Sequence, residues 1–318
     1  MKRVFPIVFL LAILGIGFAV WHEGSRSQVG LQALMEVSGD VQQDVMRVGN
    51  RMIKISDADE MQIGRRMARQ FHGSTSNASI ASYVSSVGHE LLGARRRKGI
   101  SYTFHVIDSK TVNAFAMPGG QVFVFSGLLD FVESEAELAF ILGHEISHID
   151  MRHCVDMFQI ETHARNMSAI FLPGPLPQAL AGLAARFATR IVSQGYQQNQ
   201  EFEADAHGLN LMINAGYYPR AALAVNARLG DRFGEKYADK KRKAKTPVGE
   251  IFGGLQAGVD SYFLSHPPTD ERKRRLKKTI SRHTRGLKEK KWYVGEKNLK
   301  RKVCRSQKAF LDEQIVWE

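Results

Sequence analysis

The stretch SEAELAFILGHEISHID, residues 134–150, decides how the rest of the chain is read. Ser134 stands three residues before Glu137 and just ahead of the apolar run Leu138–Leu142. That is a capping box: the serine oxygen can accept the Glu137 backbone N–H, and the glutamate side chain can reach back to the Ser134 N–H. A helix is predicted to start here and to run to about residue 165, before Pro173, Pro175 and Pro177 break it. Within it lies His144-Glu145-Ile146-Ser147-His148. Four residues is about one turn, so both imidazoles project from one face and can share a metal ion. Glu145, next to them, can take a proton from a water on that metal.

A metal held by two histidines needs a third protein ligand. A third histidine six residues after His148, with glycine three after it, is one known solution. Here those positions hold Cys154 and Met151, which excludes it, and His153 falls on the wrong side of the helix. The other solution is a carboxylate on a second helix. EFEADAH, residues 201–207, supplies two pairs at helical i, i+4 spacing, Glu201 with Asp205 and Glu203 with His207. They lie on different faces, so only one can point at the metal, and spacing does not choose between them. In the first version Glu201 ligates and Asp205 accepts the outer N–H of a ligand histidine.

Outward from these helices the chain reads as α+β, mainly helical with a small antiparallel sheet. Residues 57–72 and 79–93 carry helical periodicity. YTFHVI (102–107) and QVFVF (121–125) read as strands, with Pro118-Gly119-Gly120 as turn chemistry between them. The second metal-bearing helix should end at Gly216. Two glycines before QVFVF suggest an edge strand at Gly120–Phe125 to which an extended peptide can add, and Asn113 is a further candidate for the cleft. The Pro-rich apolar insert 171–193 between the two helices reads as a lid or membrane-facing flap.

The chain has 318 residues, a net charge of +12 and two cysteines, so it is neither a disulfide scaffold nor disordered. The charge is unevenly placed. Residues 1–231 carry 20 Lys and Arg against 21 Asp and Glu, while residues 232–318 carry 24 against 11. A neutral body thus precedes a basic stretch. That stretch holds no finger motif or stacking platform, so no nucleic-acid partner is expected; it suits an anionic membrane surface. At the start, Lys2 and Arg3 precede the uncharged run Val4–Trp21, which reads as a signal peptide or membrane anchor over 1–24. The body is therefore expected outside the cytoplasm, in a bacterial periplasm or at the envelope membrane. Export permits a disulfide between Cys154 and Cys304, against the alternative of two separate buried thiols.

HEISH, EFEAD, NAFAMPGG ahead of a strand, and SHPPTDER after the second helix recur in order over residues 55–280. Together they resemble the zinc metallopeptidase family that includes HtpX, the prenyl-CAAX protease, mitochondrial Oma and periplasmic BepA, most of all its exported members. The resemblance implies a zincin-like peptidase domain over 25–280 with a basic extension over 281–318. It implies one zinc ion per chain held by His144, His148 and Glu201, with Asp205 behind them and Glu203 and His207 as non-ligands. It also implies that His266 and Arg272 approach the zinc to hold substrate or the developing oxyanion, His266 also serving as an extra, self-inhibiting ligand. The function implied is endopeptidase cleavage of exported or membrane-associated proteins in quality control, with Glu145 as general base. The rival is a zinc-stabilised, chaperone-like factor with little proteolysis.

Overall fold

A computed structural model describes residues 55–69, 75, 77–159, 195–243, 266, 269–285 and 290–316, all within one compact unit, Lys54–Glu318. The N-terminal apolar run and the 171–193 insert lie outside the described residues.

An unbroken β-branched and aromatic run such as Val122–Phe125 suits a strand covered on both faces. Accordingly, strand β3 (Gln121–Phe125) is the middle of three. Strand β1 (Thr103–Ile107) pairs with it in parallel, Thr103 opposite Gln121. Strand β2 (Ala114–Met117) pairs with it antiparallel, Met117 opposite Gln121. The sheet is therefore mixed rather than purely antiparallel. Only β2 and β3 are joined by a tight turn, whereas the chain leaving β1 passes β3 to reach the far side. Two expectations change with this. The NAFAM half of the presumed turn is itself a strand, and β3 is no edge: both its hydrogen-bonding sides are used, so no peptide can add there. Among the described residues β1 and β2 are the outer strands of this sheet. At the β2–β3 turn Gly119 and Gly120 take φ of 73° and 85°. A Cβ at Gly119 would lie 2.4 Å from the Glu60 carbonyl oxygen, so the turn is packed onto helix α1 (Asp57–Ala68).

Helix α2 (Ala78–Leu91) packs on β1, and a short helix α3 (Ser126–Phe131) follows β3. Helix α4 (Glu135–Asp150) is buried at every position. Ser134 caps it as expected, accepting the Glu137 N–H at 3.2 Å. The Glu137 carboxylate, however, accepts from the Glu133 N–H. α4 is shorter than predicted. It stops at Met151, Arg152 takes a left-handed φ of 66°, and a separate helical stretch spans 153–159. Helix α5 (Gln198–Asn214) crosses α4, ends with Gly216 in the left-handed region as predicted, and leads to helix α6 (Ala221–Lys243). The crossing is possible because Gly143 meets Gly208: a Cβ on Gly208 would sit 2.7 Å from the His144 backbone nitrogen.

The basic C-terminal stretch is no loose appendage. Helix α7 (Asp270–Thr284) buries Leu276 and Ile280, and strands β4 (Lys291–Tyr293) and β5 (Gln314–Val316) pair antiparallel. With helix α8 (Glu296–Arg301) between them, this segment puts Trp292, Tyr293, Leu299 and Cys304 into the common core. It also satisfies the buried start of α4, whose first N–H groups lack intrahelical partners: Glu135 and Ala136 donate to the carbonyls of Gly295 and Val294 at 3.1 and 2.9 Å. Both cysteines are free and buried in different places. Cys154 lies 3.2 Å from the Tyr196 hydroxyl and Cys304 lies 3.1 Å from Glu90, so two separate thiols are what the fold contains.

The Glu135 side chain lies 2.9 Å from the Tyr217 hydroxyl and accepts the Arg305 N–H at 3.1 Å. Burial pushes its carboxyl up to about 7, against those two hydrogen bonds and with help from the Glu90 charge. A group whose pKa is raised by folding stabilises below its unfolded value and loses that contribution as pH rises through the folded value. Between about pH 4.5 and 7, wild type should therefore lose up to about 1.4 kcal/mol per pH unit relative to Glu135→Gln. Urea unfolding of both proteins across that range checks this; parallel stability curves would refute it.

Candidate metal centre

α4 carries His144, Glu145 and His148; α5 carries Glu201, Glu203 and Asp205; His266 and the first turn of α7 complete the site. Crossing at Gly143 and Gly208 brings the two helices' polar faces together inside the protein, where every polar group needs a partner. His144, His148, Glu201 and His266 converge, one ligand atom of each lying within 4.8 Å of the others, all buried. The Nε2 atoms of His144 and His148 are 3.1 Å apart, and His144 Nε2 is 3.1 Å from His266 Nδ1. Glu201 oxygens lie 2.9 Å from His266 Nδ1, 3.4 Å from His144 Nε2 and 3.6 Å from His148 Nε2.

These separations test whether a metal fits. Metal–nitrogen bonds of 2.0–2.1 Å in a tetrahedron put ligand atoms about 3.3 Å apart. The observed spacings bracket that value, and the donors are neutral imidazole and carboxylate, a set that suits a divalent ion. Electrostatics agree. Burial would raise Glu201, but the His266 and Arg272 charges and the hydrogen bonds from His144 and His266 hold it well below the usual carboxylate range. Asp205 is likewise held down, against its burial, chiefly by Arg272. Burial would lower His144, yet hydrogen bonds to these two carboxylates and their charges push it up to about 9. The negative potential that draws a second proton to His144 would equally draw a dication.

The outer nitrogen of His144 lies 3.0 Å from Asp205 Oδ1. Arg272 grips Asp205 from behind, Nε donating to one oxygen and Nη2 to the other, both at 2.7 Å. Its Nη1 donates to the His266 carbonyl at 2.9 Å and lies 3.1 Å from Glu201. This revises the expectation that Arg272 holds substrate or an oxyanion. The guanidinium is buried and turned toward two carboxylates, so it positions Asp205 and Glu201.

Glu145 is fully buried, and among the described residues no side chain makes a hydrogen bond to its carboxylate oxygens. His266 Nε2 is 3.4 Å away. Burial pushes the Glu145 carboxyl up, opposed by the neighbouring His266 and His144. A buried carboxylate with so few groups to satisfy it is costly and points to a group that binds there. Asn113, leading into β2, is also buried, and among the described residues both its side-chain polar atoms lack a hydrogen-bond partner.

With this geometry in place, the comparison with known sequences is direct: the pattern of Peptidase family M48 matches residues 78–280. The chain belongs to peptidase family M48. That span contains every residue of the M48 centre just described. Among relatives, the Beta-barrel assembly-enhancing protease of Escherichia coli (strain K12) is 29% identical over 204 residues, 61% of this chain and 40% of that protein. Mitochondrial metalloendopeptidase OMA1 of Schizosaccharomyces pombe is 32% identical over 167 residues, 52% of this chain and 47% of the relative. The Arabidopsis thaliana protein of the same name is 32% identical over 142 residues, 45% and 28% of the two chains. The M48 chain thus spans less than half the length of each.

Sequence reasoning did not give parts to three residues of this M48 centre. His207 Nε2 lies 2.7 Å from Asp150, tying the end of α4 to α5. Tyr196 stacks on His148 with ring centroids 3.7 Å apart. His153, dismissed as lying on the wrong face, lies 3.0 Å from the outer nitrogen of His148. Only the early break in α4 allows that, and nothing in MRHC signals it.

Proposed function

We propose that this chain is a zinc-dependent endopeptidase acting on exported or membrane-associated proteins. The observation that carries the reading is the buried Glu145 carboxylate, 3.4 Å from His266 Nε2, beside the convergent His144, His148 and Glu201. Zinc held there by these three residues would supply a Lewis acid for the scissile carbonyl and for the attacking water. Glu145 receives that water's proton and delivers it to the leaving amine nitrogen. Asp205 keeps the outer proton of His144 on Nδ1, so that Nε2 offers its lone pair, and Arg272 keeps Asp205 ionised. His266, whose Nδ1 lies against His144 Nε2 and Glu201, would add a fourth donor and would have to withdraw for a substrate carbonyl to enter.

The seat for an extended substrate moves from β3 to β2. Among the described residues β2 is an outer strand, it packs against α4, and Asn113 precedes it with an amide that a peptide backbone can pair. The exposed cations of α7, Lys277, Lys278 and Arg282, lie opposite its buried Leu276 and Ile280 and suit an anionic membrane surface. No helix among the described residues is long and apolar enough to cross a membrane, so anchoring belongs to the N-terminal run in this reading. An envelope location is also in keeping with a relative named for β-barrel assembly.

The test is metal analysis joined to digestion of an unstructured protein such as casein. One zinc per chain is expected, with cleavage that stops on chelation and returns on adding zinc. Stoichiometric zinc without any cleavage would favour the chaperone-like reading instead.

A further inference from the structure

Just past the end of α4 the chain turns at a strained residue with no part in the ligand set. Arg152 is not a glycine, yet it takes a φ of 66°, a conformation that costs L-residues energy and persists only when the surroundings impose it. Its guanidinium is anchored, Nη2 donating to the Ile55 carbonyl at 2.8 Å and Nη1 lying 3.4 Å from Asp57. The consequence is felt at the next residue. In an unbroken helix residue 153 would point about 140° away from residue 148. With the chain turned at Arg152, the buried His153 ring instead folds back onto His148. Their Nδ1 atoms are 3.0 Å apart, and His153 Nε2 lies 3.1 Å from Glu203 Oε2 on α5.

The chemistry of this contact fixes where the protons are. His148 meets the other ligand atoms through Nε2, so its proton sits on Nδ1. Two nitrogens 3.0 Å apart cannot both carry protons toward each other, so His153 Nδ1 is the acceptor. The His153 proton is then on Nε2, where it is donated to Glu203. Each link forces the next. We propose that Glu203 and His153 form a two-step relay that locks the tautomer and ring orientation of His148 for metal binding, as Asp205 and Arg272 do for His144. Both are positioning residues: neither touches the metal position. Tyr196, stacked on the same ring, completes the clamp.

Removing such an outer partner lowers metal affinity about 10- to 100-fold. The inference rests on His148 being a metal ligand, as in the proposed function. The test is zinc affinity of the full chain by chelator competition, with the absorption spectrum of the cobalt-substituted protein as a report on ligand geometry. His153→Leu removes the acceptor and is expected to lose about 10- to 100-fold in affinity and to shift the cobalt bands. His153→Asn places an amide oxygen where Nδ1 lies and should recover most of the affinity and the wild-type spectrum, which a mere packing role would not predict. Glu203→Gln keeps an acceptor for His153 Nε2 and should bind like wild type, whereas Glu203→Leu should bind several-fold more weakly. Wild-type affinity in His153→Leu, equal losses in the Leu and Asn variants, or equal affinities in the two Glu203 variants would overturn the relay. If His153→Leu does not fold, the Glu203 pair on the half-exposed rim carries the test. A wild-type protein that binds no zinc would sink the ligand assignment itself, a result distinct from any of these.

Discussion

Glu145→Gln should leave zinc bound and the fold intact while peptide cleavage falls by about 10²- to 10⁴-fold, the span typical of a lost general base. The side chains are nearly the same size, so the fully enclosed site need not repack. No ligand atom is removed, since Glu145 belongs to none of the close contacts among His144, His148 and Glu201. What disappears is a buried carboxylate that can take up a proton beside the donor set. Steady-state cleavage of casein, with zinc content and unfolding midpoint measured on the same sample, decides the matter. Cleavage at the wild-type rate by a zinc-loaded, folded variant would rule out the proposed mechanism.

The second large effect is on stability. Arg272→Met should destabilise the metal-free protein by about 3–5 kcal/mol, the usual result of taking one partner from a buried ion pair. Asp205 and Glu201 would remain enclosed without their cation, and both depend on it for staying ionised. Zinc, by neutralising Glu201, should recover part of the loss. Arg272→Lys should fall between the two, because an ammonium cannot reproduce the two-pronged grip on Asp205. Chemical unfolding with and without zinc reads all three. A deficit below about 1 kcal/mol in the metal-free Met variant would show that water, rather than Arg272, balances these charges.

What was legible beforehand was what local pattern dictates. The cap at Ser134, the two histidines one turn apart and the end of α5 at Gly216 each depend on residues a few positions away. The choice of Glu201 over Glu203 was not local: helical spacing served both pairs equally, and family resemblance had to separate them. The structure gives the physical ground, since Glu201 faces α4 from the buried side whereas the Glu203 side chain is 56% exposed. The misreadings were of the opposite kind. Pro118-Gly119-Gly120 marks a turn before β3 but not which strands flank it, because strand order depends on where the chain returns after Ile107. The basic tail was set apart by composition, although Trp292, Leu299 and Cys304 carry the apolar share that joins it to the core. The turn at Arg152 depends on Ile55 and Asp57, nearly a hundred residues earlier, so no reading of the HEISH helix alone could have placed His153.

The contact between Gly143 and Gly208 has a mechanical meaning. It is a fulcrum: the ligands on either side are levered about a point where two backbones touch with no side chain between them. Glu201 lies two turns from that point on one arm, and His144 is the very next residue on the other. Prising the arms apart would carry Glu201 and Asp205 away from His144 as a single unit, so helix separation and loss of the metal would be one event rather than two.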